Sequence, residues 1–209
     1  MPKLPNLSDA YALSSDDGIR ALYDAWAQTY DAGFGEAMGY QLPRAVALAF
    51  AGAGGVGPVL DFGAGTGLVA DHLAHMRIGP IDAVDLSEKM LRVAQSKGHY
   101  RDLYSDDIFE PGHTLAPASY AGIVSAGTFT HGHVGPEGLR PLLALAAPGA
   151  TCVLSVNAGH YDSAGFAPVL SALDTVFAER KAQDVRIYDD RAEEQHRNDL
   201  AKLLILKLR

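Results

Sequence analysis

The chain is poor in cysteine, in tryptophan and in basic charge, and it has no long apolar run. Its single cysteine, Cys152, has no partner for an internal disulfide, so the stabilising device of small secreted folds is excluded. No apolar stretch approaches the roughly 20 residues of a membrane helix. The opening residues, MPKLPNLSDAYALSSDDG, lack the basic-then-apolar pattern of a secretory leader. The expectation is a cytoplasmic protein without a membrane partner. Seventeen Lys and Arg against 25 Asp and Glu give a net charge of −8, which argues against broad nucleic-acid binding, because phosphate contact needs a basic patch. What is present is globular material: 209 residues, 48% hydrophobic and 20% charged, enough for a sizeable core.

Organisation changes along the chain. Ser14-Ser15-Asp16-Asp17 offers an oxygen cap and acids at a helix start, and Ile19, Leu22, Tyr23, Trp26 and Tyr30 follow on one helical face. A second helix is expected from Pro43 to about Phe50, with Leu42, Val46 and Phe50 in step, before a glycine-rich loop ends it at Pro58. Residues 1–54 therefore read as an N-terminal helical segment and 55–209 as an α/β core, in one domain overall. In that core, strands are expected at Val59–Phe62, Ile81–Val84, Asp102–Tyr104, Tyr120–Ser125 and Ala150–Val156. Helices begin near Leu68, Ser87 and Gly135, and such alternation implies a mostly parallel sheet covered on both faces. Ser163 to Gln183 reads as one helix carrying Phe166, Val169, Leu170, Leu173, Val176 and Phe177. Two strand-like runs follow, Val185 to Tyr188 and Lys202 to Leu208, able to pair antiparallel at the sheet edge.

The most informative stretch is Val59-Leu60-Asp61-Phe62-Gly63-Ala64-Gly65-Thr66-Gly67-Leu68, where the first strand turns into the first core helix. Open α/β sheets bind ligands beyond the carboxyl ends of such strands. A dinucleotide fingerprint wants its third small residue five positions after the first glycine. Here that position is Leu68, and the third glycine comes one residue early. Asp61, two residues before the turn, suits a cation better than a pyrophosphate. The pattern points to a ligand with an adenosine part and a positively charged remainder. Asp85, at the end of the second strand, stands where an acid can accept hydrogen bonds from both ribose hydroxyls.

Together these residues resemble the class I S-adenosylmethionine-dependent methyltransferases. Val59 to Ala70 looks like their first motif and IDAVDLSEKMLRVA, from Ile81, like their second. The resemblance implies a Rossmann-like, seven-stranded, mostly parallel sheet with an antiparallel C-terminal edge strand, helices on both faces and a helical lid from the N-terminal segment. It implies S-adenosylmethionine as cofactor. Asp61, Gly63, Ala64 and Gly65 would form the turn around the methionine moiety; Asp85 would hold the ribose, with Leu86 and Met90 near the adenine plane. Asp107 and Ile108 would read the adenine edge, Asp106 being the alternative by one residue. Ser125 and Ala126 would flank the sulfonium, and Tyr30 would close over the cofactor. The Tyr-Asp-x-Trp-Ala run at 23–27 is similar to the lid of small-molecule methyltransferase-like proteins of the Williams–Beuren syndrome critical region group. The fourth motif lacks the signature used by amino-group methyltransferases, so the expected acceptor is a small molecule methylated at oxygen or another heteroatom.

Methyl transfer to a hydroxyl or thiol benefits from a base. His131, and after it His133, lie in the loop following the fourth strand, and neutral histidine near pH 7 can take a proton. Asn157 and His160 follow the fifth strand and are candidates for acceptor contact, although Asn157 can equally cap a turn. The remaining histidines show no metal-ligand spacing, so no metal is expected. Two other readings stay open: a module that binds the cofactor without turnover, and, disfavoured by the glycine spacing, an NAD-dependent oxidoreductase.

Overall fold

A computed structural model describes residues 16–209. The capping pair Ser14-Ser15 and the side chain of Ile19 lie outside the described residues. Seven strands, β1 (Val59–Phe62), β2 (Ile81–Asp85), β3 (Asp102–Ser105), β4 (Tyr120–Phe129), β5 (Ala146–Asn157), β6 (Phe177–Arg186) and β7 (Leu200–Leu208), form one sheet. Their order is β3-β2-β1-β4-β5-β7-β6, the Rossmann-like arrangement expected. The pairs from β3 to β5 are parallel, whereas β7 runs antiparallel between β5 and β6 and so makes the antiparallel edge pair.

Every residue of β1 is buried, because helices cover both faces and leave no solvent side to alternate with. On one face α2 (Leu42–Gly52) and α3 (Leu68–His75) bring Val46, Phe50, Val69 and Leu73 against Val59 and Val124. On the other, α5 (Leu139–Ala144) and α7 (Phe166–Ala172) press Leu139, Leu142, Phe166 and Leu170 against Leu60, Phe62 and Leu154. Since β1 neighbours both β2 and β4, the chain leaves it in opposite directions, and a crevice opens at the carboxyl ends of these strands.

The segment before the sheet covers that crevice. Helix α1 (Asp16–Trp26) docks beside α4 (Glu88–Lys97), with Ser87 at the joint. The Ser87 hydroxyl caps α4 by accepting from Met90 N at 3.2 Å and donates to Asp24 of α1 at 2.6 Å. A π-helical turn, Asp31–Glu36, follows. Its Asp31 accepts from the Thr66 hydroxyl and from Lys97 at 2.8 Å, while Lys97 also pairs with Asp71 of α3 at 2.9 Å. The lid is thus tied to the glycine turn and to two core helices.

Two sequence expectations are corrected. Tyr30 does not continue the α1 face: the helix stops at Trp26, where a tight turn returns Thr29 N to Trp26 O at 3.0 Å. Its ring nevertheless packs on Trp26, at 5.2 Å between centroids. Nor is Ser163 to Gln183 one helix. Gly165, at φ +79°, ends α6 (Ala158–Ala164), α7 stops at Ala172, and the chain is extended from Phe177. The stretch Ala178–Gln183 favours helix locally, but a ladder with β7, in which Lys181 faces Ile205, overrides that preference. No helix among the described residues is long and apolar enough to cross a membrane.

Candidate active site

The glycine turn is built by hydrogen bonds to the neighbouring strand. Gly63 N and Ala64 N both donate to Val84 O, at 2.9 and 3.2 Å. A Cβ at Gly63, where φ is +67°, would collide with the Thr128 side chain on β4. Gly65 differs: at φ +55° an added Cβ would meet nothing within 4 Å. Its bare backbone faces open space, a cradle for a ligand rather than a packing necessity. Asp85 braces this bend, accepting from Gly65 N and from Ser87 N, each at 2.8 Å.

A cavity of about 410 Å³ extends from this turn. Along its floor lie Ile108, Asp85 with Leu86 and Met90, Gly63 to Thr66, and Ala126 to Thr128; Tyr23, Tyr30 and Tyr40 close it from the lid side. Asp106 and Asp107 both line it. Asp106 spends one oxygen on Thr114, accepting from its backbone N and hydroxyl at 2.8 and 2.9 Å, and these bonds hold its carboxyl below the ordinary range. Asp107 commits Oδ1 to Phe109 N at 2.9 Å. Four acids, Asp85, Asp106, Asp107 and Glu137, border the cavity, and among the described residues no Lys or Arg does. Such a lining repels a pyrophosphate and suits a cationic ligand.

Asp61 and Ser125 lie behind the cavity wall instead of in it. Asp61 is fully buried under the turn; its Oδ2 accepts from the Tyr100 hydroxyl at 2.7 Å, and Oδ1 has no partner among the described residues. Burial, with Asp85 and Asp71 adding to it, pushes this carboxyl up to about 7. The Ser125 hydroxyl is likewise buried and unpartnered.

Of the two loop histidines, the structure places the second at the cavity. His131 is exposed on the outer side of the loop, its ring 5.1 Å from that of His160. His133 lines the cavity and meets the Tyr23 ring edge-on at 5.8 Å. Its Nδ1 lies 3.1 Å from His131 O; a carbonyl only accepts, so Nδ1 carries the proton and Nε2 keeps its lone pair. That Nε2 is buried without a partner, and burial lowers the ring's pKa, which keeps it neutral near pH 7. His160 stays outside the cavity and fastens the loop, with Nε2 3.0 Å from Val134 O. Asn157 caps α6 by accepting from His160 N at 3.1 Å.

Asn157 also borders a smaller chamber of about 50 Å³, walled by Trp26, Leu42, Phe129, Tyr188 and others, that shares Tyr23, Tyr30, Tyr40, Gly127 and His133 with the main cavity. Sequence reasoning missed Tyr40, Tyr188, Thr128 and Glu137 as cavity or chamber residues. Tyr40 and Tyr188 come from distant segments joined by an isolated bridge, with rings 5.9 Å apart. The one local hint was the glycine at 127: a Cβ there would run into the Tyr40 hydroxyl.

Comparison with known proteins fits this geometry. The family model described as "Methyltransferase domain" matches residues 34–199. None of the curated proteins matches the chain. Among solved structures, magnesium protoporphyrin IX methyltransferase from Synechocystis PCC 6803, with bound S-adenosylmethionine, is similar at 18% identity. That match covers 90% of this chain and 96% of that one, with a TM-score of 0.62. The Burkholderia thailandensis 1,6-didemethyltoxoflavin-N1-methyltransferase, bound to its acceptor and S-adenosylhomocysteine, is similar at 19% identity. It covers 94% of this chain and 92% of that one, again with a TM-score of 0.62. At such identities the likeness is one of fold.

Proposed function

This chain belongs to the methyltransferase-domain family, and on that premise we propose that it methylates a small-molecule acceptor at oxygen or another heteroatom, with His133 as the base. S-adenosylmethionine is the donor, and the residues fit it. Gly63, Ala64 and Gly65 would take the methionine end, with the unpartnered Asp61 oxygen behind them answering its positive charge. Asp85 would accept from the ribose hydroxyls, Leu86 and Met90 would lie along the adenine, and Asp107 and Ile108 would face its edge. Ala126 would flank the sulfonium, Ser125 would support it from behind, and Tyr30 would cover the whole.

When bound, the sulfonium supplies an activated methyl group whose bond to sulfur breaks with the electron pair left on sulfur as the acceptor heteroatom bonds to carbon. The protein's own contribution is position and a proton acceptor. Tyr30, Tyr40 and Gly127 would hold the acceptor beside the ends of β4 and β5, and Nε2 of His133 would take its proton. One observation carries this reading: His133, whose Nε2 is buried without a partner among the described residues, lines both the main cavity and the side chamber.

Calorimetry with S-adenosylhomocysteine and NAD, followed by a labelled-methyl assay on a metabolite extract, tests it. Binding of the homocysteine product but not NAD, with label entering small molecules, is the expected result. Tight binding without turnover would make the chain a binding module, and label on RNA or protein would overturn the acceptor. The acidic balance of the chain supports an enzyme without a nucleic-acid partner, the single cysteine fits a cytoplasmic setting, and the aromatic lid supports kinship with the Williams–Beuren group.

A further inference from the structure

We infer that the methyl acceptor is an uncharged, single-ring hydroxyaromatic molecule, a phenol in chemical class, seated between the lid and the ends of β4 and β5. The inference deepens the proposed function and rests on it.

Charge is the first argument. Among the described residues no Lys or Arg lines either the main cavity or the side chamber, and none of those walling the chamber is an acid or a base of fixed charge. An acceptor bearing a carboxylate or phosphate would lose its hydration there and meet no cation in return. Among the described residues the chamber offers a cation no counter-charge, the four acids lying along the main cavity instead.

Shape is the second. Tyr23, Tyr30 and Tyr40 line both spaces and Trp26 lines the chamber, with Tyr23 and Trp26 stacked at 6.2 Å and an interplanar angle of 26°. Flat aromatic walls favour an aromatic guest, through offset or edge-on contacts. The chamber's volume of about 50 Å³ is less than the roughly 150 Å³ that holds a benzene. The chamber alone is too small for a ring, so a ring seated there reaches past the five residues it shares with the main cavity, and each further fused ring would add to the part left outside.

Polarity is the third. With Nδ1 bonded to His131 O, Nε2 of His133 is left as a buried acceptor with no donor among the described residues, on a side chain that lines both spaces. A buried acceptor left empty costs free energy, so the guest is expected to bring an N–H or O–H donor. A hydroxyl meets that need while remaining uncharged and methylatable. On transfer its oxygen bonds to the methyl carbon, the carbon–sulfur bond breaks, and its proton moves to Nε2.

The test uses the full chain saturated with S-adenosylhomocysteine and four single-ring probes: 4-methylphenol, 4-methylanisole, 4-hydroxybenzoate and benzylamine. Calorimetry or ligand-observed NMR should show 4-methylphenol binding about tenfold tighter than each of the others, the scale of one hydrogen bond to a buried acceptor. In His133→Ala the advantage over 4-methylanisole should vanish; His133→Phe, which keeps the ring volume, serves if the alanine variant does not fold. Equal or tighter binding of 4-hydroxybenzoate or benzylamine overturns the inference, as does absence of phenol binding to protein that holds S-adenosylhomocysteine. Failure to bind S-adenosylhomocysteine would overturn the underlying reading of the site instead.

Discussion

The glycine-turn end and the lid end of the cavity are made of different materials. Over β1, β2 and β3 the wall is backbone and acid: Gly63 to Gly65, Asp85, Asp106 and Asp107, all within 45 residues of sequence. Beyond β4 it is aromatic: Tyr23, Tyr30, Tyr40, His133 and Tyr188, from three distant stretches. A ligand shared by many proteins can be held by a contiguous motif, because bare amides and carboxylates recognise what never changes. An acceptor particular to one enzyme is held by side chains gathered from wherever the fold brings them.

Breaking the aromatic end should give the largest effect. His133→Ala is expected to lower turnover by about 10²- to 10⁴-fold, the range of general-base catalysis, while cofactor affinity stays within about twofold. Steady-state kinetics beside calorimetry reads both, and equal losses in the two would make His133 a packing residue.

The acid end carries a cost that pH can expose. Asp61 is held near 7 by burial against 3.8 in the unfolded chain, so the unfolded state gives up its proton first as pH rises. Stability from this group is therefore full below about pH 4 and is lost progressively toward pH 7, by up to about 4 kcal/mol. Denaturant titrations of ligand-free protein should show this decline, and Asp61→Asn should flatten it. An unchanged slope in the variant would assign the decline to other groups.

Filling the cradle tests whether its emptiness matters. Gly65→Val should weaken S-adenosylhomocysteine binding by about a hundredfold or more, since the side chain takes ligand space. An added Cβ meets nothing within 4 Å, but φ +55° strains any side chain there, so circular dichroism must show the variant folded before the loss is assigned to ligand space. Asp85→Ala should cost about 1.5–3 kcal/mol of cofactor affinity, as hydrogen bonds involving a charged group do. Retained affinity in a folded Asp85 variant would remove its ribose role. The smallest effect falls at the hinge between the two ends. Lys97→Met, which unties Asp31 from Asp71, should reduce cofactor affinity about threefold by loosening the lid.

The legible part of this protein was local. The glycine turn could be recognised because a bend of positive φ needs particular residues at particular spacing, and the strand ends nearby supply the acids. Ser87 was readable as a helix cap for the same reason. Where the reading failed, a distant partner had decided the matter. The β7 ladder drew Ala178–Gln183 out of helix, and the order of His131 and His133 at the cavity reversed once the loop folded back so that His131 faced outward. Asp61 and Ser125 were read as wall residues, but side chains alternate along a strand, and theirs are buried behind the wall.

By itself, then, the amino-acid order determined the fold class, the cofactor and the glycine turn, because each follows from short-range periodicity and backbone freedom. The aromatic side chamber and the coupling of lid to core were decided only in three dimensions. Each is a contact between segments up to 165 positions apart, from Tyr23 to Tyr188, and such a contact leaves no period or spacing in the chain to read.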